Sequence, residues 1–243
     1  MKRQYIHLIA VFNLIFTARA FAQVSGTMVT EQHNRIAAGV IEEINLVRSN
    51  PAAYAENLEA VKKNYKVSVY VSPTEERIAT FEGVTAVDEA IQALQATSPL
   101  PALRFSEGMS KAATDHVADQ GGKGLMDHKG TDGSLAAVRL SRYGIWQNNI
   151  GENINFGRHT PRDIVIGLLI DDGEKSRGHR KNILQQKFAF IGTATGTHAR
   201  HDVMTVIVFA DDYFDFFRSK RVASVSPQPA TGRTASSIPS ERK

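Results

Sequence analysis

The sequence predicts an α+β domain, on three observations. Residues 31–49 place Ile36, Val40, Ile41, Ile44 and Val47 on one side of a helix. Further helical segments follow, several with recognisable caps. Near the end, Phe188–Thr197 and Asp202–Ala210 read as two strands joined around His198–His201, and Thr205 through Phe209 is strongly β-forming. Helices therefore dominate, a small antiparallel sheet sits among and after them, and no internal repeat is visible. One domain is expected over residues 23–217.

Element by element, Asn50-Pro51 restarts the chain after the first helix, with Asn50 as N-cap and Pro51 at the first helical position, and Ala52 to Asn64 continues it. Residues 65–83 alternate weakly through Val67, Val69 and Val71 and then turn polar, as expected of a loop or edge hairpin between helices. A third helix over about Ala86–Ala96 is stopped by Pro99 and Pro101. The fourth starts at the Ser106 cap and carries Met109, Ala112, Ala113, His116, Val117 and Gln120 on one face until Gly121-Gly122-Lys123-Gly124 ends it. That glycine cluster lacks the spacing of a phosphate-binding loop. A short helix spans Ser134 to about Arg142. Thr160-Pro161 then opens a helix whose interior, Ile164 to Ile170, is apolar on every side and so is buried.

The 243-residue chain is long enough to bury a real core, and its composition is that of a globular protein. It has no cysteine, which excludes disulfides, thiolate metal sites and cysteine nucleophiles. A metal would need His, Asp, Glu or backbone oxygen. The formal charge of +4 is not spread over the fold. Residues 1–22 and 218–243 hold nine of the 29 basic residues and one of the 25 acidic ones, so the 20 bases and 24 acids between them give a mildly acidic body. That pattern argues against a nucleic-acid-binding surface.

Both ends read as separate from the domain. Lys2 and Arg3 precede an apolar run from Tyr5 to Phe16, and Ala20-Phe21-Ala22 supplies small residues where a signal peptidase cuts. The run is too short to span a bilayer, so export with cleavage near Ala22 is expected, to a periplasm or the medium. The last segment, 218–243, is Ser-, Pro- and Arg-rich and is expected to stay solvated, with weak envelope association as its functional alternative.

Two histidines stand apart from the other six. His128 lies in Asp127-His128-Lys129-Gly130-Thr131-Asp132-Gly133, and His179 lies in Arg177-Gly178-His179-Arg180-Lys181-Asn182-Ile183-Leu184, just after the buried helix. Glu152 falls between them in Gly151-Glu152-Asn153-Ile154-Asn155-Phe156-Gly157. Histidines and a carboxylate on loops at the ends of buried elements are where sites are assembled. His198 and His201 read as turn residues, His116 as a core histidine, and Arg180 and Asn182 as loop-pinning residues. No H-E-x-x-H sequence is present, which excludes standard zincin chemistry.

The order of "INLVRSNPAAYA", "HKGTDGS", "GENINFG", a buried helix, "RGHRKNIL" and "FAFIGTATG" resembles the CAP superfamily, or SCP domains, over residues 35–213. That superfamily includes cysteine-rich secretory proteins, antigen 5 and pathogenesis-related proteins, and the chain is most similar to its exported bacterial branch without disulfides. The resemblance implies an α–β–α sandwich with a central antiparallel sheet between helical layers. It also implies a cleft with two histidines and two acids, matched here by His128, Glu152 and His179. For the second acid, Asp172 shares a helical stripe with Val165, Leu168 and Leu169 and is chosen over Asp171. Family members usually have Glu there.

Three uses of this tetrad stay open. His128 and His179 could bind a divalent metal such as zinc, with Glu152 and Asp172 as direct or water-mediated partners. Glu152 could act as a general base in metal-dependent hydrolysis, a peptidase activity above all. The four could also form a polar network that pins the loops. The expected function is a secreted binding domain for a lipid, sterol-like or peptide ligand, a class the resemblance implies. Hydrolysis, or a non-catalytic role at the envelope, are the alternatives.

Overall fold

A computed structural model describes residues 4–66, 68–71 and 77–216, with side chains from Thr27 onward. Its first helix, α1, runs Gln4–Ser49. Residues 1–3 and the side chains through Gly26 fall outside that description, and so does the tail over 218–243, so the expected leader and tail are not placed by it. The chain continues through α2 (Pro51–Lys62), the short strands β1 (Tyr65–Lys66), β2 (Val69–Val71) and β3 (Arg77–Ala79), and α3 (Val84–Ala96). Then come β4 (Arg104–Phe105), α4 (Glu107–Gln120), α5 (Ala136–Ser141), β5 (Gly144–Phe156), α6 (Pro161–Ile170), α7 (Gly178–Ile183), β6 (Phe190–His198) and β7 (Asp202–Asp215).

Local chemistry starts the helices where the sequence indicates. Asn50 accepts from the Ala53 amide with Pro51 at the first position, Ser106 accepts from Met109, and Thr160 accepts from Asp163. Each side chain satisfies one amide that has no partner inside its helix. The segment expected to be a loop or hairpin forms the small antiparallel sheet β1-β2-β3.

The main sheet has the order β4-β6-β7-β5. Its long pairs are antiparallel, and the two-residue β4 joins β6 in parallel. The alternation of side chains along a strand feeds two cores. On one face Ile191, Ile207 and Phe209 pack with α1, α2, α3 and α6; on the other Phe190, Ala194, Met204, Val206, Val208 and Ala210 pack with α4 and α5. Helices thus cover both faces, which is the sandwich expected. At Gly192 the α4 backbone lies directly on β6, and a Cβ there would collide with Met109 and Ser110.

One element differs from expectation and matters for the site. The segment holding Glu152 is a 13-residue strand, β5, rather than a loop. Among the described residues it is the edge of the main sheet and pairs with β7, and its register slips between Gln147 and Ile150, where Asn148 has φ 63°. Two glycines and four asparagines in this stretch give it weak intrinsic β preference, and the buried, largely apolar β7 beside it supplies the pairing.

Candidate functional site

The sheet edge organises the site, because successive residues of β5 point to opposite faces. Glu152 shares the parity of Ile154 and meets α5 and the His128 loop. Its Oε2 accepts from Arg139 Nη2 at 2.6 Å, and its Oε1 lies 2.9 Å from His128 Nδ1. The next residue, the fully buried Asn153, turns the other way: its Nδ2 donates to the His179 carbonyl at 3.0 Å, and its Oδ1 accepts from Asn182 at 2.8 Å. One strand therefore reaches the histidine loops from both sides.

Arg139 is the residue the sequence reading passed over. Only 2% of its side chain is exposed. Besides Glu152 it donates to the carbonyls of Ser134 (2.8 Å) and His128 (3.2 Å), so one guanidinium fixes both the carboxylate and the loop carrying His128. Its signal was an arginine within the buried side of a short helix, beside Leu140. Arg48 carries the same signal in α1. It is fully buried and donates to four carbonyls, those of Pro101, Ile183, Gln185 and Phe188, which anchors the end of α7.

His179 is held by Asp171, not by Asp172. Asp171 Oδ2 accepts from the His179 amide at 2.9 Å, and Oδ1 lies 2.6 Å from His179 Nδ1. The expected Asp172 instead accepts from the amides of Phe81 and Glu82, both at 2.8 Å, and so ties the loop before α3 to this turn. The helical stripe pointed to Asp172 because it assumed that α6 continues. The helix ends at Ile170, and Asp171 is left-handed at φ 56°, which redirects its side chain toward His179. Arg177, also left-handed, braces the turn through Glu82, Glu89 and the Asp171 carbonyl.

Burial of Glu152 pushes its pKa up, but the bonds and charges of His128 and Arg139 outweigh that and hold it below the usual carboxylate range. His128 is raised by its hydrogen bond to Glu152, partly offset by burial. Each Nδ1 faces its carboxylate, and among the described residues neither Nε2 has a protein partner. Both oxygens of Glu152 and both of Asp171 are engaged.

As a metal site this donor set offers two imidazole nitrogens, each oriented by a carboxylate behind it, an arrangement common around protein-bound metals. Among the described residues no group of three or more His, Asp or Glu side chains converges to hold an ion. The set left without protein partners, among the described residues, is the two imidazole Nε2 atoms. It does not offer direct ligation by Glu152 or Asp172.

The remaining residues are structural. His198 is buried, not a solvated turn residue: its Nε2 meets the Leu125 carbonyl at 3.0 Å, and its Nδ1 accepts from the amides of Arg200 and His201. His116 is fully buried with Nε2 2.8 Å from the Asp127 carbonyl, and burial lowers its pKa. Asn182 bonds Asn153, as described, and Arg180 pairs with Glu89.

A second concave feature lies away from this cluster. It is a groove of about 680 Å³ between α1 and α4 along the edge of β6, lined by Ala37, Ala38, Ile41, Phe105, Val117 and Ala194, with Ser110, Thr114, Thr193 and Thr195. None of the four cleft residues lines it.

Comparison with known proteins identifies the family. The model of the CAP, or cysteine-rich secretory protein, family matches residues 41–210. Protein YkwD of Bacillus subtilis (strain 168) is 33% identical over 93 residues, 38% of this chain, and the matched part spans 34% of that protein's length. An extracellular SCP-domain protein from Bacillus anthracis superposes over 52% of this chain and 37% of its own, with 21% identity and a TM-score of 0.37. An outer surface protein from Borrelia burgdorferi does so over 46% and 78%, with 18% identity and a TM-score of 0.40. With its family model matched across most of the folded region, the chain belongs to the CAP family of cysteine-rich secretory proteins.

Proposed function

We propose that this CAP domain is an exported binding protein that holds the apolar part of a lipid or sterol-like ligand in the groove between α1 and α4. The observation that carries the reading is the groove itself. Its size is within the range of small-molecule sites, and its walls are largely apolar. Phe105 stands at its margin with 62% of its surface exposed, a cost in water that a bound apolar chain would remove. Export follows from the leader pattern at residues 1–22. Full-length protein incubated with lipid vesicles and repurified should release lipid on organic extraction. Ala38→Trp, which fills the groove from an exposed position, should reduce that yield. Repeatedly empty extracts from both proteins would reject the reading.

The two free Nε2 atoms favour a second property, a divalent ion such as zinc held by His128 and His179. A bound ion would supply Lewis acidity at the cleft. Calorimetric zinc titration of full-length protein should show saturable binding that both His128→Ala and His179→Ala abolish, and unaltered binding in both would exclude it. Hydrolysis with Glu152 as general base has less support, because both oxygens of that carboxylate are occupied by His128 and Arg139.

A further inference from the structure

Where β5 begins and β7 ends, the main sheet is covered on one face and bare on the other. Gly144 stands opposite Asp215, Ile145 opposite Phe214 and Trp146 opposite Tyr213. The pairing continues past β7, where the Phe216 amide donates to the Tyr143 carbonyl at 3.1 Å. The covered face carries Trp146 and Tyr213, whose indole N–H and hydroxyl donate to the Ala137 and Leu140 carbonyls of α5. Alternation along the two strands turns Ile145, Phe214 and Phe216 together to the opposite face. They are 52%, 65% and 50% exposed. A sheet face turned to solvent is ordinarily polar, and three large apolar side chains side by side on one mark a surface that a partner covers.

Charge indicates the partner. After Phe216 the sequence reads Phe217-Arg218-Ser219-Lys220-Arg221. Covalent reach alone keeps Arg218 within about 7 Å of Phe216, and Arg221 within about 18 Å. Residues 218–243 hold six basic residues and one acid, whereas the body of the chain is mildly acidic. On the bare face the acid is Asp212, opposite Gln147; Asp215 accepts from the Ser106 hydroxyl and the Gly108 amide at the start of α4. Exposed aromatic rings beside clustered bases suit an anionic lipid surface, where the rings enter the interface and the bases gather at the negative head groups. Pairing of this patch with a second copy would instead bring two basic segments together.

We infer that this end of the sheet is a membrane-docking edge. Ile145, Phe214 and Phe216 insert at the surface of an anionic bilayer, and Arg218, Lys220 and Arg221 hold the domain there. None of these residues lines the groove between α1 and α4, so docking is separate from any ligand held in that groove.

The test uses residues 23–243, the form expected after removal of the leader, which retains every residue of both cores. Vesicles of phosphatidylcholine, alone or mixed with phosphatidylglycerol, are sedimented with the protein. Binding should require phosphatidylglycerol and weaken as salt is raised. Neutralising Arg218, Lys220 and Arg221 together to Gln should lower the partition about a hundredfold, at roughly fivefold per base. Phe214→Thr with Phe216→Thr keeps β preference and should lower it about tenfold or more, through the apolar area no longer inserted. Circular dichroism of that variant should match the parent, because both side chains are exposed. Ala38→Trp, in the groove, should leave sedimentation unchanged. No sedimentation, equal binding to both kinds of vesicle, or binding indifferent to the two phenylalanines would overturn the proposal. Loss of sedimentation in Ala38→Trp would place the lipid in the groove and overturn it too. A dimer that the double Phe variant abolishes, without vesicle binding by the parent, would assign the patch to a second copy of the chain.

Discussion

Replacing Arg139 with methionine tests how the cleft is held together. Arg139 and Glu152 form an ion pair at 2.6 Å with side-chain exposures of 2% and 5%, so each is the other's replacement for water. Removing one member of such a pair leaves a buried charge uncompensated, which costs about 3–5 kcal/mol. The variant also loses donation to the Ser134 and His128 carbonyls. His128 stays as a partial partner for Glu152, which places the expected loss nearer 3 kcal/mol than 5, on the order of 10 °C in Tm for a domain of this size. The assay is urea denaturation followed by circular dichroism, on Arg139→Met, on Glu152→Leu and on the double variant. The double variant should recover most of the loss, because it carries no unpaired charge, and the coupling energy should exceed about 2 kcal/mol. A single-variant cost under about 1 kcal/mol, with no coupling to Glu152, would refute the claim that this guanidinium holds the cleft.

Three further outcomes follow from the same geometry. Asp171→Asn should weaken zinc binding about tenfold or more through loss of the carboxylate behind His179, whereas Asp172→Asn should lower stability and leave the titration unchanged; the reverse pattern would restore Asp172 to the cleft. Gly192→Ala should cost about 1–3 kcal/mol in denaturation, because the added methyl meets the α4 backbone and not a movable side chain. Glu82 is held at about 2, chiefly by its bonds to Arg177 and then by the Gly173 amide. A carboxylate depressed on folding contributes stability that is complete above its ordinary range and lost as pH falls through the folded value. Acid should therefore loosen the His179 turn progressively from about pH 4.5 to about 2, and Glu82→Gln should remove that part of the pH dependence; an unchanged acid profile would count against it.

The features legible in the sequence are local ones. Asn50-Pro51, Ser106 and Thr160-Pro161 start helices because one side chain and one fixed φ act within a single turn. The β-forming run Thr205 through Phe209 marks a strand by residue type alone. His128, Glu152 and His179 could be named because their residue types and wording are distinctive, and the structure does bring each histidine onto a carboxylate.

What the tertiary structure alone decided depends on contacts between distant segments. Asp171 replaced Asp172 because a single left-handed residue ended the helix, and a helical stripe has no meaning beyond that point. β5 became a strand despite its glycines and asparagines because β7 offered it a ladder of hydrogen bonds. Arg139 and Arg48 are buried among carbonyls contributed from elsewhere in the chain, and no local pattern assigns an arginine its partners. The groove between α1 and α4 exists only because the two helices, on opposite faces of the sheet, leave the edge of β6 uncovered between them. The sequence by itself determined where the capped helices start and which residues are candidates for a site; packing decided which of those residues meet, because burial and pairing are properties of the assembled layers.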